Sequence, residues 1–115
     1  MVIGDSSVFS LAMAFQHRIG SSGRPFRAIL ETTASDVDAV ASLVPGAEVV
    51  AAGAESGAAL QDYLAQSSFD GNELFYLAGH GQSIQQQRDL LRTTKGVDRK
   101  AISTQPFWAT GKTGL

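Results

Sequence analysis

The sequence predicts a single α/β domain in which helices cover both faces of a parallel β-sheet. Short apolar runs alternate along the chain with segments whose apolar residues recur at helical spacing. The links between them are short, and no internal repeat, linker or low-complexity tract interrupts the alternation. We therefore expect a three-layer α/β/α, Rossmann-like architecture with about five parallel strands.

The first half of the chain contains three predicted strands and two predicted helices. Serine or aspartate side chains are expected to cap each helix, and glycine or proline to end it. The predicted elements are a strand at Met1–Ile3, a helix from Ser6 or Ser7 that stops at Gly20–Gly23, a strand at Phe26–Thr32, a helix from Ser35 or Asp36 that stops at Pro45–Gly46, and a strand at Ala47–Ala51.

The second half continues the alternation with two helices and two strands. The predicted elements are a weaker helix around Leu60–Leu64, the most apolar strand at Glu73–Ala78, the clearest helix at Ser83–Thr94, and a last strand at Ala101–Trp108. Lys95-Gly96 is a typical C-terminal signal for the long helix. Because proline cannot donate to a strand ladder, Pro106 restricts the last strand to an edge of the sheet.

The opening strand is unusually short for its expected place at the centre of the sheet. Only three residues precede Gly4, whereas strands average about five to six residues. The pattern predicts either that an element upstream is missing or that the opening strand is a vestige.

The overall composition excludes several classes of function. The 115 residues are 43% hydrophobic and 17% charged, which is typical of a soluble globular domain. A net charge of −2 gives no reason to expect a nucleic acid or an anionic membrane as partner. The absence of cysteine excludes disulfides, thiol catalysis and cysteine-ligated metals. Neither a membrane-spanning apolar run nor a signal peptide is present, so we expect a cytoplasmic protein.

The stretch "VIGDSS" at Val2–Ser7 has three interpretations. A glycine at a strand end followed by hydroxyl residues can bind a phosphate at a helix N-terminus, or the serines can simply cap the helix. The same letters resemble the opening block of GDSL-type serine hydrolases, with Ser6 as nucleophile. Such an enzyme needs a D-x-x-H motif, and neither His17 nor His80 has an aspartate three residues before it.

Two glycine-rich stretches near the end of the chain resemble nucleotide motifs only weakly. "GHGQSI" at Gly79–Ile84 begins like a dinucleotide fingerprint but has Ile84 in place of its third glycine. "GKT" at Gly111–Thr113 lacks the first glycine of a P-loop, because Pro106 stands there. No metal site is expected at His80, since no acidic residue or second histidine lies at ligand spacing.

Four more residues are candidates for contacts with a ligand. Arg24 and Arg27 flank the second predicted strand and are either phosphate ligands or surface charges. Phe107 and Trp108 either stack on a ligand ring or belong to the core.

Four segments taken in order resemble the C-terminal domain of siderophore-interacting proteins, which are flavin-dependent ferric-siderophore reductases related to ferredoxin–NADP reductase. The segments are "GDSSVFSLAMAF" at Gly4–Phe15, "RAILET" at Arg27–Thr32, "PGAEV" at Pro45–Val49 and "FYLAGHGQSIQQQRDLLRTTKGVDRKAISTQPFWATG" at Phe75–Gly111.

The resemblance implies that residues 1–115 form one NAD(P)H-binding domain, of the type found in ferredoxin reductases, that lacks the N-terminal FAD-binding barrel. The implied cofactor is NADPH or NADH, with FAD only if a flavin domain is supplied upstream or in trans. Ferric-siderophore is the implied substrate, and no residue is assigned a catalytic role. The implied cofactor-binding residues on the pyrophosphate side are Gly4, Asp5, Ser6 and Ser7. The others are Ala78 and Gly79, at a turn where the nicotinamide would meet the flavin, His80, beside the nicotinamide amide or the phosphates, and Trp108, at the family's Tyr-Trp pair.

The chain departs from the family pattern at several positions. Ser10 replaces a common proline, His80 a usual glutamate, Phe107 a tyrosine and Ala109 a basic residue. These departures motivate an alternative, in which the domain has lost its cofactor and acts as a binding or oligomerisation module. An apolar surface left by a missing barrel would then favour a homodimer or a separate flavin protein as partner.

Overall fold

The computed structural model describes residues 1–20, 26–69 and 71–111, and within these ranges five strands alternate with four α-helices. The strands are β1 Val2–Asp5, β2 Ala28–Thr32, β3 Glu48–Ala51, β4 Phe75–His80 and β5 Ile102–Trp108. The helices are α1 Phe9–Gly20, α2 Val37–Leu43, α3 Ala58–Gln66 and α4 Gly81–Thr93. Short 3₁₀ turns lie at Ser6–Val8, Ala34–Asp36 and Arg99–Ala101.

The five strands form one parallel sheet in the order β3-β2-β1-β4-β5. The predicted α/β class, the strand number and the central position of β1 are therefore confirmed. Strand β5 lies at an edge, which confirms the position that Pro106 predicts for it.

Each face of the sheet has its own buried core, so the domain has three layers. The first-face core joins β1 and β2 to helices α1 and α2, and its fully buried members include Val8, Leu30 and Val44. The second-face core joins the sheet to α3 and α4 through fully buried residues such as Leu64 and Leu91. Side chains of successive strand residues point to opposite faces, which places Ile29 in the second-face core and Leu30 in the first.

The two central strands extend further than the sequence predicts. Gly4 and Asp5 remain in β1, paired with Leu30 and Glu31 of β2, so the predicted end of the strand at Ile3 is wrong. Strand β4 continues to His80, and α4 begins at Gly81 instead of Ser83. Ala78 and Gly79 therefore belong to the strand and not to a turn, because their backbone continues the ladder with β5.

No helix among the described residues is both long and apolar enough to cross a membrane. The same residues contain no group of three or more histidine, aspartate and glutamate side chains that could hold a metal ion.

Candidate functional site

The strand order places a topological switch point between β1 and β4. From β1 the chain runs outward to β2 and β3, then crosses back to β4 and β5 on the other side. Open α/β sheets bind ligands in the crevice outside the carboxyl ends of the strands at such a point. Strands β1 and β4 are paired at Val2 and Ile3, so the ladder between them ends before Asp5 and Gly79. We call this region, with the end of β5, the carboxyl edge.

The Asp5 carboxylate crosses the carboxyl edge and is fully engaged there. Its Oδ2 accepts a hydrogen bond of 2.8 Å from the Trp108 indole Nε1, which belongs to β5. Its Oδ1 accepts the Ser7 backbone N–H at 2.9 Å and also the Ser7 hydroxyl. In the loop predicted to bind phosphate, the Ser7 N–H and hydroxyl therefore already donate to a carboxylate of the same chain.

Two glycines permit this close arrangement. Gly79 has a φ of +105°, and a Cβ atom there would lie 2.9 Å from both Asp5 carboxylate oxygens. A Cβ at Gly4 would lie 2.2 Å from the Val8 side chain and 2.7 Å from the Ala78 carbonyl oxygen. The space at Gly4, predicted to admit a phosphate, is therefore used for packing between β1, β4 and the turn that follows β1.

His80 is a buried residue at the end of β4, with 7% of its surface exposed. Its Nδ1 lies 2.5 Å from the Ser83 hydroxyl, and its Nε2 lies 2.6 Å from the Thr110 hydroxyl. The Ser83 hydroxyl donates to the Ser56 carbonyl at 3.0 Å. This pattern assigns a proton to Nδ1 and leaves Nε2 as an acceptor for Thr110. Both ring nitrogens are engaged, which leaves neither to serve a hydrolase nucleophile.

Trp108 covers His80 at the surface instead of entering the core. The two ring centroids lie 4.3 Å apart with the planes inclined at 31°. The β4–β5 register shifts between Gly79 and His80, and this irregularity sets Trp108 opposite His80. Trp108 is 37% exposed and Phe107 38%, so core packing for this pair is wrong. Exposed aromatic rings at a carboxyl edge can contact a ligand or a second domain.

Glu31 is a buried carboxylate that the sequence reasoning missed. It lies at the end of β2 with 3% exposure, and it accepts the Gly57 N–H at 2.8 Å and the Leu60 N–H at 3.3 Å. These donors belong to the start of α3, whose positive dipole end favours a negative charge. The sequence feature that could have predicted it is the acidic residue that directly follows three apolar residues in the "AILET" strand.

One peptide group joins Glu31 to the histidine network. The peptide between Ser56 and Gly57 donates its N–H to Glu31 and accepts the Ser83 hydroxyl on its carbonyl oxygen. Gly57 has a φ of +87°, and a Cβ there would lie 2.1 Å from the Ser83 hydroxyl oxygen. The network therefore needs glycine at this position, and it links β2, α3 and α4 in one set of hydrogen bonds.

The interior of the carboxyl edge has almost no free volume. The cavity among Asp5, Glu31, His80, Ser83 and their neighbours measures about 10 Å³, which is room for about one water molecule. The interior of the carboxyl edge therefore has no room for a nicotinamide nucleotide. Its pyrophosphate would also compete with the Asp5 carboxylate for the Ser7 donors.

The structure brings most of the predicted site residues together. Gly4, Asp5, Ser7, Ala78, Gly79, His80 and Trp108 all lie at the carboxyl edge. The backbone of Ser6 lies there too, although its side chain is outside the described structure. Arg27 precedes β2 at the opposite end of the sheet, so it does not face this site, and Arg24 lies outside the described residues.

The fold and this edge define a doubly wound α/β domain of the Rossmann-like class. The family model for siderophore-interacting proteins matches residues 21–111. The chain belongs to the siderophore-interacting protein family.

A comparison with solved structures supports the fold. The siderophore-interacting protein SipS from Aeromonas hydrophila superposes with a TM-score of 0.71 at 21% sequence identity. The match covers 94% of this chain and 49% of SipS, so the chain spans about half the length of that relative. No curated protein matches the chain.

Proposed function

We propose that this chain is the nicotinamide-nucleotide domain of a siderophore-interacting flavin reductase. The carrying observation is the switch point between β1 and β4, where Asp5, Gly79 and Trp108 meet at the position that such sheets use for ligands. NADPH or NADH would bind along the outer surface of this edge, with a flavin domain supplied upstream or in trans. FAD would convert a hydride into the single electrons that ferric iron in a siderophore accepts.

The engaged Asp5 carboxylate predicts that the chain alone binds nucleotide weakly. A millimolar dissociation constant corresponds to only about −4 kcal/mol. Because Asp5 holds the Ser7 N–H and repels a phosphate, Asp5→Asn should tighten NADPH and NADH binding by about three- to tenfold. An asparagine side-chain oxygen still accepts the Trp108 indole N–H.

The test is ligand-observed NMR line broadening with NADPH and with NADH. The matched control is Asp38→Asn, which removes the same charge from an exposed position on α2. Stronger broadening with the Asp5 variant than with the parent and the control supports the proposal. No broadening by either nucleotide with the parent or the Asp5 variant contradicts it.

A cofactor-free binding or oligomerisation module is the second candidate. It is favoured by the same edge, because the Asp5 and His80 side chains are already hydrogen-bonded within the chain and the cavity has room for about one water molecule. Exposed apolar side chains, including Leu74 at 72% and Phe107 at 38%, supply surface for association. Sedimentation that detects a dimer, together with absent nucleotide binding, would favour this candidate over the first.

A further inference from the structure

A second groove lies away from the carboxyl edge, between α4 and the amino-terminal half of β5. Its volume is about 300 Å³. It is lined by Arg88 and Arg92 of α4, Arg99 and Lys100 of the last 3₁₀ turn, and Ile102 and Thr104 of β5. We call it the basic groove.

The residues that line the basic groove carry four positive charges and no carboxylate. Its four cations are four of the nine lysine and arginine residues in a chain whose net charge is −2. No carboxylate lines the groove, and none of the four cations forms a salt bridge within the part of the chain that the structure describes. The nearby Asp98 carboxylate is directed at the Lys100 backbone N–H, 2.9 Å away. Four like charges facing one space favour an anionic ligand.

The four cationic residues of the basic groove belong to regular secondary structure on both of its sides. Arg88 and Arg92 are four residues apart, so they project from the same side of α4. That helix is anchored by Leu91, which is fully buried. On the other side, Asp98 caps the 3₁₀ turn, and Ile102 pairs with Phe75 in the sheet. A rigid frame reduces the ordering cost of binding.

The groove continues along the flank of α4 into a neutral part. Arg88 and Thr104 also line a second space of about 430 Å³, whose remaining walls carry no charge. Those walls are Gly81, Gln82, Ile84, Gln85, Pro106 and Ala109. A ligand with a charged end and an uncharged body matches this division.

We propose that the basic groove binds the diphosphate of a phosphorylated small molecule, whose uncharged part lies in the neutral space. Guanidinium groups bind phosphate oxygens through paired N–H donors, and two cationic walls can hold two phosphates. Nucleic acid matches less well, because it needs a longer basic surface than one short groove on a protein of net charge −2. The basic groove lies outside the nucleotide surface beside Trp108, whereas the neutral space borders that surface at Gly81 and Ala109.

The test is a two-dimensional amide NMR titration of the whole chain with inorganic pyrophosphate, at constant ionic strength. Saturable shifts are expected at residues 88–104. The double variant Arg92→Gln with Lys100→Gln should weaken the fitted affinity at least about tenfold. The matched control is the double variant Arg18→Gln with Arg27→Gln, which removes two exposed cations elsewhere and should leave the affinity within about twofold. Each variant is first checked for an unchanged thermal midpoint, as expected for surface positions.

Three results would overturn the proposal. One is a linear response without saturation, which indicates general screening. Another is a set of shifts confined to residues 4–8, which places the anion at the carboxyl edge instead. The last is tighter binding, with a wider footprint, of a single-stranded DNA of about 12 nucleotides, since nucleic acids bind extended basic surfaces. The amide signals of residues 88–104 and of residues 4–8 are followed separately. A failure of pyrophosphate to bind the basic groove is therefore distinguishable from a failure of nucleotide to bind the carboxyl edge.

Discussion

At the scale of single residues, the carboxyl edge depends on side chains that other residue types could not replace. Asp5 holds Ser7 and Trp108 at once, and only a glycine at position 79 leaves room for its carboxylate. The histidine beside them is held by two hydroxyls and a ring. Its place is that of a buried support for the Trp108 ring.

Gly79→Ala should destabilise the protein by about 3 kcal/mol or more. The positive φ contributes about 1–2 kcal/mol, and the displacement of Asp5 by a Cβ only 2.9 Å from its oxygens adds the rest. Urea denaturation measures the loss, and a change in Trp108 fluorescence reports the broken Asp5 contact. The control is Gly71→Ala, where φ is +94° but nothing lies within 4 Å. Equal losses at both glycines would contradict the role given to Asp5.

At the scale of elements, helix α3 is tied to the sheet by the Glu31 side chain as well as by apolar packing. Leu60 and Leu64 bury one face of the helix in the second-face core. Its first turn has no side-chain cap of its own. Glu31 of β2 takes that place by accepting two of the free N–H groups. The start of α3 is therefore positioned by a neighbouring strand.

Glu31→Gln should destabilise the protein by about 2 kcal/mol. The amide keeps the shape but replaces one acceptor with a donor, which leaves one α3 N–H group without a partner. Denaturation gives the total, and hydrogen exchange at Gly57 and Leu60 should become faster. Glu48→Gln, at an exposed position of β3, is the control and should stay within about 0.5 kcal/mol. Unchanged exchange at these two amides would show that Glu31 does not hold the helix.

At the scale of the whole molecule, one sheet separates two cores that share its strands. Alternate residues of β2 enter different cores, so neither core can form without the same backbone. We therefore expect the described domain to unfold as one cooperative unit although its two apolar clusters do not touch through the sheet.

Substitutions in the two cores should add. Val44→Ala belongs to the first-face core and Ile29→Val to the second, and both side chains are almost fully buried. We expect about 2 and 1 kcal/mol respectively, and the double variant should equal their sum within about 0.5 kcal/mol in urea denaturation. Leu43→Ala, next to Val44 but 48% exposed, serves as the control and should cost much less. Two separate transitions, or a large departure from the sum, would contradict a single cooperative unit.

The sequence by itself determined the class of fold, the order of the elements and the edge position of β5. These follow from local patterns: helical spacing of apolar residues, short apolar strands, and one proline that cannot pair. The resemblance of its segments to siderophore-interacting proteins also implied cofactor-binding roles for Asp5, Gly79, His80 and Trp108, and those roles stay predictions.

Only the tertiary structure decided how those residues are used. Trp108 and Asp5 are 103 residues apart, and Glu31 reaches Gly57 across 26 residues. Such pairs produce no periodic pattern in the sequence, because their geometry is set by how the strands and helices pack together. The same is true of the basic groove, whose cations come from α4 and a separate turn that meet only after folding. Local patterns thus specify the elements, whereas contacts between distant residues decide which polar groups stay available to a ligand.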